Sequence, residues 1–383
     1  MAEAPKPETA TAAATPERLL SLDVLRGLTV LGMIVVNSAA GMKYGAEAEV
    51  FAPLLHAHWD GLMLADLVFP AFLMMVGVSI PLSMRRAQET PRAVQLRRIF
   101  GRTVRLLVLG FILSNLWWMS DFEATDWRLF GVLQRTGLAY GACALLFLYL
   151  GPRSRAGIAA AILLLYWPLT LLPALDGLAT DIWVRGHTFA ASVDRLLLGG
   201  GHIYVKGPEG YDPEGLLGTL PSIAHGLIGI AVGEFMMRRR GAAQTWRLAG
   251  AGALMIVVGI AWGQVFPIVK DLWSSSFVLV TCGITIIAAA SLHLWLDGAH
   301  DFSTGKRIVA AIALPFGVNA IAAYVLHMVT ADVIGWDLLL APFHATRGAI
   351  GDGLASLIPV LLILLFLWAA MEWLRRKDWI IKV

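Results

Sequence analysis

Cysteine and charge are both scarce in this 383-residue chain. Its two cysteines, Cys143 and Cys282, lie within apolar segments, so the sequence holds no disulfide framework, no CxxC motif and no zinc-ligand spacing. No metal cofactor is therefore expected. Charged residues make up 15% of the chain, whereas soluble domains carry roughly a quarter. With 58% hydrophobic residues and a mean hydropathy of +0.70, the composition predicts one polytopic membrane unit rather than two or three soluble domains.

The beginning of the chain lacks the basic and apolar regions of a secretory signal peptide. It is polar and rich in alanine, threonine and proline, which predicts a disordered cytoplasmic tail over residues 1–18. The remainder, 19–383, is expected to form a single transmembrane domain. No internal repeat is evident, and the glycine run at 199–201 does not have the helix-opening pattern of a nucleotide fingerprint. No nucleic-acid partner is expected.

Ten segments are long and apolar enough to cross a bilayer. About 20 apolar residues are needed to span the hydrocarbon, and a spanning segment must satisfy its backbone groups internally, as a helix does. The sequence therefore predicts an all-α bundle of about ten transmembrane helices. The segments are 20–42, 60–84, 100–118, 129–150, 156–173, 217–237, 246–264, 275–296, 308–328 and 354–374.

The orientation of this bundle follows from its lysines and arginines. If the N-terminus is cytoplasmic, most of the 30 basic residues fall in the inner loops, as the positive-inside rule requires. Both termini are then expected in the cytoplasm. Residues 43–59 become the first outer loop, and 174–216 the longest one. That long loop combines aromatic residues and carboxylates, a composition that suits either a polar sugar or amine ligand or an ordinary solvated loop.

The second predicted span has an unusually polar start. Four ionisable residues lie on it or just before it, and an ionisable residue in a span indicates a functional site by default. They are His56, His58, Asp60 and Asp66. His56 is expected at the outer mouth of this helix, with Asp66 about two turns deeper.

The first predicted span carries an amide near its outer end and a cation near its inner end. Asn37 is the amide, and Arg26 lies eleven residues earlier, which places it ~16 Å lower in a helix. This arrangement suits a long ligand threaded across the membrane with its anionic end inward. Asp23, on the same inner turn, is expected to cap the helix or to pair with Arg26.

Three short motifs carry a family resemblance. They are SLDVLRG at 21–27, HAHWDG at 56–61 and DLVFP at 66–70, with further likeness in FGVLQRTGLAYG at 130–141 and PFGVNAIAAYVL at 315–326. Together they resemble the membrane core of the heparan-α-glucosaminide N-acetyltransferase family and its bacterial relatives. The likeness touches nearly every predicted span.

The resemblance implies an acetyltransferase that uses acetyl-CoA from the cytoplasmic side and an amino sugar of the glucosamine type as acceptor. It implies a multi-pass protein of a bacterial inner membrane, and it suggests a homodimer. The family's active-site histidine falls on His56, and His58 is the weaker candidate. The family's asparagine falls on Asn37, the aspartate of its D-L-V-F-P motif on Asp66, and its motif arginines on Arg26 and Arg135.

The residue chemistry agrees with this implication. Histidine titrates near neutrality, so His56 is suited to accept the proton of an attacking amine. Asn37 is expected to donate to the thioester oxygen or to orient His56, and Asp66 to hold the histidine tautomer or to bind an ammonium. Each residue also has a purely structural interpretation: His56 as an interfacial histidine, Asn37 as a helix-end cap and Asp66 as a structural partner between helices. Direct transfer in a ternary complex is favoured over an acetyl-histidine intermediate.

The phosphates of CoA require basic partners on the inner side. Arginine suits phosphate because its bonds are bidentate and charge-assisted. The expected cofactor-binding residues are Arg26, Arg98, Arg102, Arg105 and Arg135.

Other polar residues in the spans have structural explanations beside functional ones. Ser274, Ser275 and Ser276 are expected either to line the ligand path or to begin a helix. His225, His293 and His327 are expected to be structural, hydrogen-bonded histidines. The alternative function for the whole chain is a transporter of amino sugars or related polar solutes.

Overall fold

The computed structural model describes residues 19–85, 90–116, 118, 127–238, 241–298 and 303–381. The predicted tail, 1–18, lies outside the described residues. Thirteen α-helices occur within those ranges: α1 Leu20–Gly45, α2 Ala65–Arg85, α3 Arg92–Ser114, α4 Val132–Tyr149, α5 Pro152–Thr170, α6 Phe189–Leu198, α7 Thr219–Arg238, α8 Ala242–Gly263, α9 Ser275–Leu292, α10 Thr304–Val318, α11 Ala320–Ile334, α12 Trp336–Ile350 and α13 Asp352–Arg376. A 3₁₀ turn, Ala52–Leu54, precedes α2, and a π-helical turn, His293–Asp297, follows α9. The predicted all-α class is confirmed.

Seven of the described helices are long and apolar enough to cross a membrane: α1, α2, α4, α7, α8, α9 (with its π-helical turn) and α13. The pair α10–α11 passes the same test if it is taken as one bent span. The predicted segments 100–118 and 156–173 overlap helices α3 and α5, which lie outside this set. The protein is thus an integral, multi-pass membrane protein with several apolar helices.

The predicted span 308–328 is not one straight helix. The chain bends by 81° between α10 and α11, at Asn319. Pro315, one turn earlier, removes a backbone donor from α10. The side chain of Asn319 binds the C-terminal tail: its Nδ2 donates to the carbonyl of Trp379 at 3.0 Å, and its Oδ1 accepts from the amide of Ile381 at 2.9 Å. The corner therefore anchors the end of the described chain.

Glycines bring the helices that carry the motifs into close contact. A Cβ added to Gly77 in α2 would lie 2.3 Å from the carbonyl oxygen of Gly226 in α7. One added to Gly27 in α1 would lie 1.9 Å from the carbonyl oxygen of Ala313 in α10. Small residues at membrane helix contacts allow such backbone approach. Both α1 and α2 are consequently held firmly in the bundle.

The connections at one end of the bundle pack on one another. The indole of Trp59 donates to the carbonyl of Ile182 at 3.0 Å and meets the ring of Tyr211 edge-on at 5.8 Å. The amide of Gly61 donates to the carbonyl of Ile268 at 3.0 Å. The segment before α2 is therefore covered by the connections before α6, α7 and α9, which is how the fold positions the HAHWDG motif.

Candidate active site

His56 and Asp66 are in direct contact. Nδ1 of His56 lies 2.7 Å from Oδ1 of Asp66. The other carboxylate oxygen of Asp66 accepts from the backbone amides of Ala57 at 3.1 Å and Met63 at 2.9 Å. Asp66 itself is fully buried in the first turn of α2. The aspartate thus ties the histidine and the chain before α2 to one fixed point.

This pairing determines what the imidazole can do. A carboxylate at Nδ1 favours the tautomer with the proton on that nitrogen, so Nε2 carries the free lone pair. The His56 side chain is 38% exposed, whereas that of Asp66 is 1% exposed. A carboxylate behind the ring also stabilises the imidazolium that forms when Nε2 accepts a proton. This geometry leaves Nε2 of His56 able to accept a proton.

Neighbouring polar residues are arranged differently. His58 is exposed and forms no side-chain hydrogen bond within the described ranges. Oδ1 of Asp60 accepts from the backbone amide of Ile268 at 3.0 Å, which is a structural role. Asn37 is exposed on α1 and, among the described residues, hydrogen-bonds to neither member of the His56–Asp66 pair. The structure joins two of the three predicted catalytic residues.

Arg26 joins three helices. Its guanidinium donates to Oγ of Ser79 in α2 at 2.8 Å, to Oδ1 of Asp23 at 3.3 Å and to the carbonyl of Gly317 in α10 at 3.4 Å. The predicted pairing of Asp23 with Arg26 is confirmed. The Arg26 side chain is 25% exposed, so the cation remains accessible while its position is fixed.

The predicted arginines of α3 occupy unlike surroundings. Arg98 and Arg105 are exposed. Arg102 is half-buried and lies over the ring of Tyr140 in α4, with its guanidinium carbon 4.4 Å from the ring centroid. Nε of Arg102 is buried without a hydrogen-bond partner in the described chain. Arg102 therefore has a donor in the α3–α4 contact that no described protein group uses.

Arg135 is fully buried. Its Nη2 donates to the carbonyl of Gly215 at 3.2 Å, and its guanidinium lies 5.1 Å from the ring of Trp273. Nε and Nη1 have no partner among the described residues. The guanidinium borders a cavity of about 20 Å³ shared with Asp194 and Tyr211, a volume that suits a single water molecule. Arg135 thus lies with the connections that cover Trp59.

Comparison with known proteins identifies the family of this chain. Residues 18–265 match the family described as heparan-alpha-glucosaminide N-acetyltransferase, catalytic. The chain belongs to the heparan-alpha-glucosaminide N-acetyltransferase family. It is 28% identical to the human protein named heparan-alpha-glucosaminide N-acetyltransferase over 381 residues. That alignment covers 85% of this chain and 55% of the human protein. The mouse protein of the same name is 27% identical over 391 residues, covering 88% of this chain and 57% of that protein.

The chain spans about half the length of these heparan-alpha-glucosaminide N-acetyltransferase relatives. The family match contains all eight residues predicted for catalysis and cofactor binding, and it ends within the connection after α8. Helices α9 to α13, with the corner at Asn319, lie beyond it. The sequence resemblance to the family is thereby confirmed.

This family member contains an ionic cluster that its sequence does not signal. Arg128 donates to Oδ2 of Asp212 at 2.9 Å and also contacts Glu214. Burial lowers the pKa of Arg128, but the charges of Glu214 and Asp212 outweigh it and leave the pKa above its usual value. Asp212 and Glu214 lie 84 and 86 positions from Arg128 in sequence, so no local pattern signals the cluster.

Asp194 is a further buried carboxylate, and burial raises its pKa to about 7.

The remaining polar residues of the predicted spans lie in structural surroundings. His293 lies 2.9 Å from Oδ2 of Asp297 and is structural, as predicted. His225 is fully buried beside the ring of Trp273, with the backbone of Pro70 as its polar neighbour. The three serines start α9. Oγ of Ser274 caps it by accepting from the amide of Phe277 at 3.3 Å, and Ser275 and Ser276 donate to backbone carbonyls.

Proposed function

We propose that this protein is a membrane-embedded acetyltransferase that moves the acetyl group of acetyl-CoA to the amine of a glucosamine-type amino sugar. The observation that carries the proposal is the 2.7 Å contact between Nδ1 of His56 and the buried carboxylate of Asp66. Family membership supplies the reaction class, because the matched relatives are named as N-acetyltransferases. The His56–Asp66 contact supplies a general base suited to this reaction.

In the proposed mechanism His56 is the general base and Asp66 its positioning partner. The neutral amine of the sugar attacks the thioester carbonyl, and Nε2 of His56 accepts the proton that the amine loses. The C–N bond forms, the C–S bond breaks, and the thiolate of CoA leaves. General-base assistance of this kind contributes about 10²–10⁴ in rate. Asp66 stabilises the imidazolium through Nδ1.

Direct transfer requires only this one proton acceptor. An acetyl-histidine intermediate would place the acetyl group on Nε2, the same nitrogen that the pairing with Asp66 leaves free, and so it remains the competing route. Asn37 is proposed as the amide that donates to the thioester oxygen. Its exposed side chain has no competing hydrogen bond among the described residues, which supports that role.

Acetyl-CoA is proposed to lie with its phosphates at the Arg26 end of the bundle and its acetyl group toward His56. Arg26 is held in place but partly exposed, and Arg98 and Arg105 are exposed cations on α3. Arg102 has an unused buried donor. Arg135 lies with the connections that cover Trp59, and we therefore place it toward the acetyl end. Arginine is suited to phosphate through charge-assisted bonds.

The topology proposed for this enzyme has ten membrane crossings with both termini in the cytoplasm of a bacterial cell, and the assembly is proposed to be a homodimer. The distribution of lysine and arginine supports the orientation. Each of the ten predicted segments overlaps a described helix or the bent pair α10–α11, which supports the number of crossings.

The decisive experiment incubates purified protein in nanodiscs with isotopically labelled acetyl-CoA and glucosamine, and measures acetylated product by mass spectrometry. We expect product from the unchanged protein, and none from His56→Ala although that variant still binds CoA. His58→Ala is the matched control and should retain activity. Product formation by His56→Ala would refute the assigned base. Amino-sugar flux in proteoliposomes without acetyl-CoA, with no acetylated product, would instead identify a transporter.

A further inference from the structure

The connection between α8 and α9 contacts the chain on both sides of Asp66. On the side that precedes α2, it binds the last two residues of the HAHWDG motif. The amide of Gly61 donates to the carbonyl of Ile268, and the amide of Ile268 donates to Oδ1 of Asp60, each at 3.0 Å. These two bonds fix the segment that runs from His56 to the start of α2.

Trp273, near the end of the same connection, contacts α2 itself. It is the largest fully buried side chain of the described residues, with 1% of its surface exposed. Its ring meets that of Phe69 edge-on, with the ring centroids 5.1 Å apart. Phe69 lies three positions after Asp66, so the two side chains are neighbours on the surface of the helix. One connection therefore holds the chain before Asp66 and the helical turn after it.

The backbone of Trp273 is held in an uncommon conformation. Its φ is +55°, in the left-handed region that a bulky side chain rarely adopts. The turn is braced by Ser274, whose hydroxyl donates to the carbonyl of Pro267 at 2.7 Å and accepts from the amide of Val269 at 3.1 Å. A residue persists in such a conformation only where its surroundings fix it, and such residues cluster at functional sites.

Three further helices surround the ring of Trp273. The guanidinium of Arg135 in α4 and the rings of His225 in α7 and Phe277 in α9 lie 5.1, 6.0 and 5.3 Å from it. Because protein interiors are close-packed, these neighbours leave the ring one position. Two of its contacts lead toward the proposed chemistry: Phe69 leads to the His56–Asp66 pair, and Arg135 was placed toward the acetyl end.

We propose that Trp273 is a positioning residue for the His56–Asp66 pair. Through Phe69 it fixes the first turn of α2 against the segment before it, so that Oδ1 of Asp66 stays in hydrogen-bond contact with Nδ1 of His56. The inference rests on the proposed role of His56 as the base. Trp273 lies beyond residues 18–265, which match the family, so this support for the pair comes from the second part of the chain.

Hydrogen exchange of the full-length protein in nanodiscs tests this support without any acetyl transfer. The amides of Ala57 and Met63 donate to Asp66, and they report on the turn that Trp273 holds. In Trp273→Leu their exchange should be about tenfold faster, because local opening becomes easier. Trp273→Phe retains an aromatic edge and should exchange nearly as the wild type does. The control is Phe343→Leu, a fully buried ring in a separate core cluster.

A double-mutant cycle then separates the route through Asp66 from a merely structural effect. Trp273→Leu alone should lower kcat by about ten- to a hundredfold, as expected when a reacting group is misplaced. In the Asp66→Asn background the same substitution should lower kcat by about twofold or less, because residues that act as a unit are not additive. Phe343→Leu should have the same small effect on kcat in both backgrounds.

Two results would overturn the proposal. The first is unchanged exchange at Ala57 and Met63 in Trp273→Leu. The second is an equal loss of kcat with and without Asp66, which would assign Trp273 to Arg135 instead. If gel filtration shows that Trp273→Leu does not fold, Ser274→Ala decides in its place, since it loosens the turn and keeps the ring. Faster exchange in a protein without acetyl transfer would leave Trp273 as a support of the turn and refute the proposed function alone.

Discussion

Nδ1 of His56 lies 2.7 Å from Oδ1 of Asp66, so that a half-exposed imidazole is bound to a buried carboxylate. The same carboxylate accepts two backbone amides, from Ala57 and Met63. Asp66 therefore has two effects on the site: its hydrogen bonds fix the position of His56, and its negative charge lies next to the imidazole. A substitution that preserves an acceptor oxygen tests the charge. An amide at this position keeps an acceptor oxygen but removes the charge.

Asp66→Asn should lower kcat by about a hundredfold or more, because the imidazolium formed during amine attack loses its carboxylate. The KM for acetyl-CoA should change little, since Asp66 contacts no group assigned to the cofactor. Steady-state kinetics with labelled acetyl-CoA measures both constants. Asp60→Asn is the control, as an amide oxygen still accepts from the Ile268 amide there, and its kcat should be unchanged. Equal kcat in the wild type and Asp66→Asn would remove Asp66 from the mechanism.

Asn319→Ala should release the C-terminal tail. The substitution removes two hydrogen bonds, each contributing about 0.5–1.5 kcal/mol to stability. We expect faster hydrogen exchange at the amide of Ile381 and a lower melting temperature. Asn37→Ala is a matched control for stability, because Asn37 is exposed and makes no side-chain hydrogen bond among the described residues. Unchanged exchange at Ile381 would show that the tail is held by other contacts.

The stability of the connections that cover Trp59 should depend on the protonation of Asp194. Burial raises its pKa from 3.8 to about 7, so the folded protein binds this proton more tightly than the unfolded chain does. The free energy of unfolding therefore falls as pH rises from about 4 to 7, and is lowest above that range. Asp194→Asn should remove this decline, while its amide oxygen can still accept from the Leu216 amide.

Thermal melts between pH 4 and 8 measure the effect, with Asp176→Asn as the control that should keep the decline of the wild type. The bond to Arg195 lowers the pKa of Asp176, so that carboxylate contributes stability that is lost only as the pH falls into the acid range. Parallel pH profiles for the wild type and Asp194→Asn would contradict the assignment.

Gly77→Ala should disrupt the contact between α2 and α7, because the new methyl group would overlap the carbonyl of Gly226, 2.3 Å away. Neither backbone can move without shifting its helix. We expect a lower yield of monodisperse protein and a lower melting temperature. Gly101→Ala is the control. Nothing lies within 4 Å of its added Cβ, and alanine is favoured over glycine in a helix by about 1 kcal/mol. Equal behaviour of the two variants would mean that α2 and α7 are not tightly packed.

Much of the candidate site could be predicted from the sequence, since its main pair is local. His56 and Asp66 are ten positions apart, on either side of the start of one helix, and the expectation that the aspartate orients the histidine matches their contact. The backbone amides of Ala57 and Met63 were not foreseen, because they depend on how the chain turns before α2. The Arg128 cluster and the burial of Arg135 were missed because their partners are about 80 residues away in sequence.

The sequence by itself determined that this is an all-helical membrane protein, since the thickness of the hydrocarbon and the need to satisfy every backbone group favour helices of about 20 apolar residues. Only the tertiary structure decided that the chain turns by 81° at Asn319. Hydropathy does not distinguish a straight apolar helix from a bent one. At the bend, the side chain of Asn319 binds backbone groups 60 and 62 residues further along the chain.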